Sequence, residues 1–374
     1  MYDNLTSKTI SWMRFYCASA VVLIHAFGAP LSGTTTVAFQ NGIYDFIRIF
    51  FSQGICRVSV PIFLMISGYL FFSKLREWDN TIWFSKVKKR VRSLLIPYIL
   101  WNIISIVFSF VKVSVISRDP GAGLTILDFK EYFDQNGGFL AFWDRGIGAL
   151  PHNYPLRSIR DLFIVVLFSP VVFSFVKRTK LVGLTILYCI YVIQPKDLFA
   201  GFSTEAFVFF SLGAYLQIHN IDFATFFSKR IGWSLCVSIP ILVIMVVMYG
   251  NNMPIWHLAC RLFRLFGAFS IIGLVAMGIK HNYLKVNPTL SGSAFLIYAG
   301  HGTIILPILQ YVLDRISAPS QLYCLFSYFA TAFLAVLLLV LSNHLLSRFL
   351  PRFYSVLTGG RTVPNNITQT QVIK

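Results

Sequence analysis

The chain has 374 residues, of which 56% are hydrophobic and 12% charged, and its formal net charge is +18. Soluble domains carry about 25% charged residues, so this composition excludes an ordinary soluble fold, and no polar stretch is long enough to build a separate one. The positive charge is spread along the chain rather than gathered in one patch, which speaks against nucleic-acid binding and for a topology signal plus attraction to anionic lipid.

A hydrocarbon core about 30 Å thick needs roughly 20 mostly apolar residues per crossing helix. Lipid cannot satisfy an open backbone, and continuous apolar runs without period-two alternation select helices over a closed barrel. The apolar runs predict spans at 10–29, 46–73, 94–116, 162–176, 181–194, 204–218, 232–249, 258–279, 292–311 and 321–346. The expected fold is therefore an all-α integral membrane bundle of about ten transmembrane helices. Spans 162–176 and 181–194 are short and separated only by Lys177-Arg178-Thr179-Lys180. The first run resembles a signal peptide in length, but Ala29-Pro30-Leu31-Ser32-Gly33 is a poor cleavage site, so it reads as a retained helix.

Lys and Arg alternate between the connecting segments. Stretch 74–93 holds seven, and with Lys8, Arg14, the 177–180 and 229–230 clusters, Lys280, Lys285 and four basic residues near the C-terminus, one side carries 20 of 32. The longest segment on the other side, 117–161, has six acids against five bases. By the positive-inside rule both termini are expected in the cytoplasm. Residues 1–350 form the expected membrane domain, and 351–374 a short polar cytoplasmic tail expected to be disordered.

The six cysteines, at 17, 56, 189, 236, 260 and 324, fall singly within apolar runs. They show no CxxC or metal-ligand spacing, so packing is their expected role and no metal site is expected. There is no internal repeat, GxGxxG or Walker sequence.

Function then rests on ionisable groups inside the membrane, which are costly to keep there. Arg14 and His25 are eleven residues apart in the first run. On an α-helix that is about 20° past three turns and about 16 Å along the axis, so both project from one face, Arg14 at the cytoplasmic mouth and His25 toward the outside. Arg48 and Arg57 lie in the second run, Arg160 and Asp161 where the long loop enters the fourth, and Glu205 near the outer end of the sixth. His257, Arg261 and Arg264 recur at i, i+4 and i+7, one polar stripe, and His301 falls near the middle of the ninth run. Arg outnumbers acid in this outer half, so an anionic or polar ligand is expected to complete the set. On the cytoplasmic side, Trp83-Phe84-Ser85-Lys86-Val87-Lys88-Lys89-Arg90-Val91-Arg92 is either a positive-inside anchor or a phosphate-binding cluster formed by Lys89, Arg90 and Arg92.

Five stretches over residues 10–305 resemble the acyltransferase-3 family of bacterial membrane acyltransferases, which modify surface polysaccharides and lipid-linked glycans. Arg14 and His25 match its Arg–x10–His spacing in the first helix. Arg57-Val58-Ser59-Val60-Pro61-Ile62-Phe63-Leu64-Met65-Ile66-Ser67-Gly68-Tyr69 is similar to its Arg-x-x-Val-Pro and Ser-Gly-Tyr segment. Arg90-Val91-Arg92 with Ile96-Pro97-Tyr98 resembles its basic run leading into Ile-Pro-Tyr. Phe209-Phe210-Ser211-Leu212-Gly213-Ala214-Tyr215 and Ile297-Tyr298-Ala299-Gly300-His301 look like two later signatures. One departure stands out. The family often reads Pro-Leu-Trp-Phe-Leu-Arg-Asp, whereas Pro155-Leu156-Arg157-Ser158-Ile159-Arg160-Asp161 puts Arg157 and Ser158 in place of the aromatic pair.

The resemblance implies acyl transfer from cytoplasmic acyl-CoA, acetyl by default, to a hydroxyl of a cell-surface or lipid-linked glycan, in the bacterial cytoplasmic (inner) membrane. Acyl-CoA would be a co-substrate, with no permanently bound cofactor. His25 is the expected base, because imidazole titrates near working pH, with Glu205 or Asp161 to orient it. Arg14, Lys89, Arg90 and Arg92 would hold the donor. Arg57, Arg261 or Arg264 would stabilise the developing oxyanion, and Ser67, Arg160, His257 and His301 would serve the acceptor side. Direct transfer and a covalent intermediate on His25, Ser67 or a cysteine both remain open. The rival reading is a lipid-glycan flippase or polysaccharide exporter, for which outward arginines would suit an anionic passenger. The cytoplasmic basic cluster on the Arg14–His25 side argues against it.

Overall fold

The computed structural model describes residues 4–27, 42–73, 75, 77–116, 125–144, 150–193, 199–313 and 320–360. Segment 29–33, Lys74 and Arg76 of the basic stretch, and residues 361–374 of the expected tail lie outside the described residues. The rest is helical, with no strand among the described residues. Six helices are long and apolar enough to cross a membrane: Ile43–Phe71, Asn80–Ser114, Ile231–Met248, Met253–Lys280, Pro288–Leu313 and Gln321–Phe349. A seventh is added if Tyr154–Leu167 and Ser169–Ile193, bent by 70°, make one span.

All ten windows read from the sequence fall on helix, yet two miss this measure for a physical reason. The first helix, Asn4–His25, sits inside the bundle, packed on helices 59–71, 253–280, 288–300 and 321–349. Met13, Cys17 and Val22 are fully buried there. A helix shielded by its neighbours need not be apolar all round, and this one carries Lys8, Arg14 and His25. Thr204–Ile218 is short at 15 residues, with its buried side against helix 59–71. The pair 162–176 and 181–194 is divided differently from expectation. Helix Arg157–Leu167 turns sharply into Ser169–Ile193, and that helix is itself kinked at Lys180, whose φ is 51°.

Helices 59–71 and 204–218 cross at backbone contact. A Cβ on Gly68 would lie 2.0 Å from the Phe210 carbonyl oxygen, and one on Gly213 would lie 1.9 Å from that of Met65. Without a hydrophobic force between helices in lipid, close backbone approach is a main source of association, and only small residues permit it. The Ser-Gly-Tyr and Phe-Phe-Ser-Leu-Gly stretches are thus the two halves of one crossing.

Three helices change pitch just ahead of a proline. A π-helical turn at Val91–Leu95 precedes Pro97, and another at His301–Ile305 precedes Pro307. Ile49–Gly54 is π-helical and Ile55–Val58 3-10, before Pro61. Proline cannot donate to the carbonyl four residues back and its ring crowds that oxygen, so the preceding turn widens or tightens. Arg57 lies in the 3-10 turn, and His301 opens the π-helical turn before Pro307.

Helix Asn80–Arg90 is capped by Asp79, whose carboxylate accepts from the amides of Thr81 at 2.7 Å and Ile82 at 3.3 Å. Lys86 Nζ reaches back to the Phe71 carbonyl and, at 2.7 Å, to that of Ser73, satisfying the end of helix 59–71. The expected tail beginning at 351 is structured at its start. Pro351–Thr358 is a helix with Tyr354 and Leu357 buried; the Tyr354 hydroxyl donates to Asn343 Oδ1 at 2.9 Å, and Trp101 Nε1 donates to the Leu357 carbonyl at 3.2 Å.

Candidate active site

Two cavities lie end to end inside the bundle. One, of about 650 Å³, is lined by Arg14, Arg90, Ser67, Ser291 and an apolar wall that includes Phe63, Leu94 and Phe295. The other, of about 910 Å³, is lined by His25, Arg57, Arg157, Asp161, Glu205, His257, Arg261 and Arg264. Val60, Leu64, Ser158 and Tyr298 line both, so the two cavities meet at these side chains. The spacing of Arg14 and His25 places them on one face of the first helix, and that face borders one cavity near each end.

His25 is the last residue of its helix. Its ring stacks on His301, with centroids 5.3 Å apart at 29°, and meets the Tyr154 ring edge-on at 4.8 Å. His301 is fully buried and lines neither cavity. Its Nδ1 lies 2.9 Å from the Ile297 carbonyl, an acceptor only, so Nδ1 carries the proton and Nε2 holds the lone pair. That Nε2 is buried without a hydrogen-bond partner. His301 was expected at the acceptor; instead it backs the His25 ring.

Tyr154 is held in place by its neighbours in the chain. His152 Nδ1 is 3.0 Å from Ser105 Oγ, the Asn153 amide donates to Asn102 Oδ1 at 2.9 Å, and Asn153 Nδ2 donates to the Ala299 carbonyl at 3.2 Å. Gly302 allows this segment to close on the His301 turn, because a Cβ there would sit 2.4 Å from Pro155 Cγ.

Neither carboxylate expected to orient His25 does so. Glu205 Oε2 accepts from Arg264 Nη1 at 2.8 Å, and that guanidinium also donates to the Tyr191 hydroxyl at 2.9 Å. Asp161 is held by Arg160 at 2.9 Å and faces Arg157 Nε at 3.6 Å. Among the described residues no carboxylate forms an ion pair with His25. Arg160 is buried, bound to Asp161 and to the Trp143 carbonyl, and lines neither cavity, so it is a structural strut rather than an acceptor contact. Arg48 is likewise tied up, 2.7 Å from Asp45 and over the Phe27 ring. Of the basic cluster, Arg90 reaches the Arg14 cavity, whereas Lys89 and Arg92 are exposed on the helix surface and line neither of the two cavities. Ser67 borders the Arg14 cavity, away from His25.

Tyr298 is the residue sequence reasoning missed. Its hydroxyl donates to the Pro155 carbonyl and so must accept from Ser158 Oγ, knitting the wall that both cavities share. The signal was its place three residues before His301, which puts both on one side of a helix. The Ser158 that replaces a bulky family side chain is its partner. Tyr298→Phe is expected to lower thermal stability by about 1–3 kcal/mol through the two lost hydrogen bonds. Thermal unfolding of the purified protein in detergent checks this, and an unchanged midpoint would refute it.

A family profile described as an acyltransferase domain matches residues 8–341. The chain is 28% identical over 366 residues to the succinoglycan biosynthesis protein ExoH of Rhizobium meliloti (strain 1021), covering 96% of this chain and 94% of that one. No solved structure matches. A profile that runs from the first helix almost to the end of the last long one covers every residue named above at the two cavities, and on that match the chain belongs to the acyltransferase family.

Proposed function

We propose that this protein is a membrane O-acyltransferase of the bacterial cytoplasmic membrane. It moves an acyl group, acetyl by default, from cytoplasmic acyl-CoA to a hydroxyl of a cell-surface or lipid-linked glycan. In this reading the ten helical windows cross the bilayer, both termini lie in the cytoplasm, and the Arg14 cavity opens inward. The observation that carries it is the pair of abutting cavities, one bordered by Arg14 and Arg90, the other by His25, which share Val60, Leu64, Ser158 and Tyr298 as lining. The similar relative's description as a succinoglycan biosynthesis protein supports a polysaccharide acceptor.

The chemistry follows from these positions. Arg14 and Arg90 bind the phosphates of the donor, since guanidinium forks match phosphate oxygens. The thioester carbonyl is presented at the Tyr298–Ser158 wall. On the other side His25 takes the proton of the acceptor hydroxyl as its oxygen attacks the carbonyl carbon. The tetrahedral oxyanion collapses, the C–S bond breaks, and the thiolate of coenzyme A leaves and takes up a proton. His301 holds the His25 ring from behind.

Arg90→Ala is expected to raise the Kd for acyl-CoA by roughly tenfold or more, taking about 1.5–3 kcal/mol for a charge-assisted contact. Arg92→Ala is expected to change it little, because that side chain is exposed outside the cavity. Titration of acetyl-CoA into purified wild type and variants tests the donor role, and equal affinity of Arg90→Ala and wild type would end it. Comparing surface-glycan composition with and without the gene tests the reaction as a whole, since it names donor group and acceptor together.

A further inference from the structure

Charge in the His25 cavity does not balance. Its wall carries Arg57, Arg157, Arg261 and Arg264 against Asp161 and Glu205. Glu205 is committed to Arg264 at 2.8 Å, and Asp161 to Arg160 and Arg157. Among the described residues, neither Arg57 nor Arg261 has a carboxylate within ion-pair distance, and the Nε of each is buried without a hydrogen-bond partner. Arg57 is nonetheless held in place, donating to Gln53 Oε1 with its guanidinium carbon 5.8 Å from the Trp256 ring centre. Its 3-10 turn, Ile55–Val58, packs on helix Met253–Lys280, which carries Arg261.

A cation withdrawn from water is costly unless a counter-charge meets it. Arg57 and Arg261 are part-buried in the wall of a cavity large enough for a sugar, with no carboxylate in ion-pair contact and only Glu205 acting on Arg57 from farther off, so they mark where a ligand's charge would be met. A planar carboxylate matches the guanidinium fork.

Building on the acyltransferase reading, we infer that Arg57 and Arg261 form a carboxylate subsite that selects an anionic substrate. The carboxylate sits either at the far end of the acyl group, as in a dicarboxylic half-thioester, or on an acidic sugar of the acceptor. Arg264 is excluded from the subsite by its pairing with Glu205. A preference on the acyl side would replace acetyl as the transferred group.

The test uses the purified full chain in phosphatidylcholine nanodiscs and reads binding independently of turnover. Succinamate is compared with butyramide, which matches its size without the carboxylate, and glucuronate with glucose. Wild type is expected to bind one carboxylate at least tenfold more tightly than its neutral partner, and the pair that shows it identifies the source. Arg57→Gln and Arg261→Gln are each expected to abolish the preference, while Arg261→Lys retains part of it; circular dichroism confirms that each variant is folded. The ratio of kcat/KM for succinyl-CoA over butyryl-CoA, or for acidic over neutral acceptor, is expected to fall at least tenfold in step. Absence of preference for either carboxylate, a preference that survives both glutamine variants, or equal binding of chloride and sulfate overturns the subsite. A preference that behaves as expected in a protein that transfers no acyl group would instead overturn the acyltransfer reading and leave the subsite standing.

Discussion

His25→Ala is expected to leave the protein inserted at normal abundance while acylation of the surface glycan falls by about 10²–10⁴-fold, the usual worth of a general base. The two halves of that expectation have separate grounds. His25 ends its helix, and its recorded side-chain contacts are ring contacts to Tyr154 and His301, so its removal strips no hydrogen bond from the bundle. It also faces the cavity just beyond the shared wall, where an attacking hydroxyl must lose its proton. Mass spectrometry of the polysaccharide from a complemented deletion strain measures the loss, with membrane-fraction immunoblots to verify insertion. Undiminished acylation in the variant would remove His25 from the mechanism.

Gly213→Val and Gly68→Val are expected to be as damaging, but through the fold. A Cβ at either position would lie about 2 Å from a backbone oxygen of the facing helix, well inside the 3.0 Å below which Cβ contacts are essentially never found. No rotamer change relieves a clash with backbone, so helices 59–71 and 204–218 must part. Overpacking typically costs about 1–3 kcal/mol, and here the expected loss is at or above the top of that range. Gly232→Ala supplies the contrast, because a Cβ there meets nothing within 4 Å. Size-exclusion profiles and thermal midpoints of extracted protein should separate the three. Wild-type behaviour of Gly213→Val would mean the crossing is looser than described.

Much of this architecture is written in local patterns, and the rest depends on what local patterns cannot encode. Apolar runs locate the helices, and the eleven-residue step from Arg14 to His25 correctly puts both on one face. A length-and-hydropathy measure passes over the first helix, which the apolar run 10–29 marks as a span, because its environment is other helices, which no window average contains. The clustering of Arg57, His257, Arg261 and Arg264 around one cavity was legible from stripes and termini. Which acid each arginine keeps was not. Asp161 goes to its own neighbour Arg160 and to Arg157, and Glu205 to Arg264, choices set by helix rotation. The same rotation sends Arg90 inward and leaves Lys89 and Arg92 outside, although all three look alike in sequence. The stacking of His25 on His301 joins residues 276 positions apart through a π-helical turn, a geometry that regular periodicity does not predict.

The partition formed by Val60, Leu64, Ser158 and Tyr298 has a bioenergetic consequence. A cell that stores energy as ion gradients is drained by any continuous aqueous thread through its envelope. Val60 and Leu64 are apolar and the Ser158–Tyr298 hydroxyl pair is tied to the Pro155 carbonyl, so the junction of the two cavities offers few free polar groups to a file of water. On the acyl-transfer reading proposed above, this junction is where passage of an acyl group and leakage of ions would have to be kept apart.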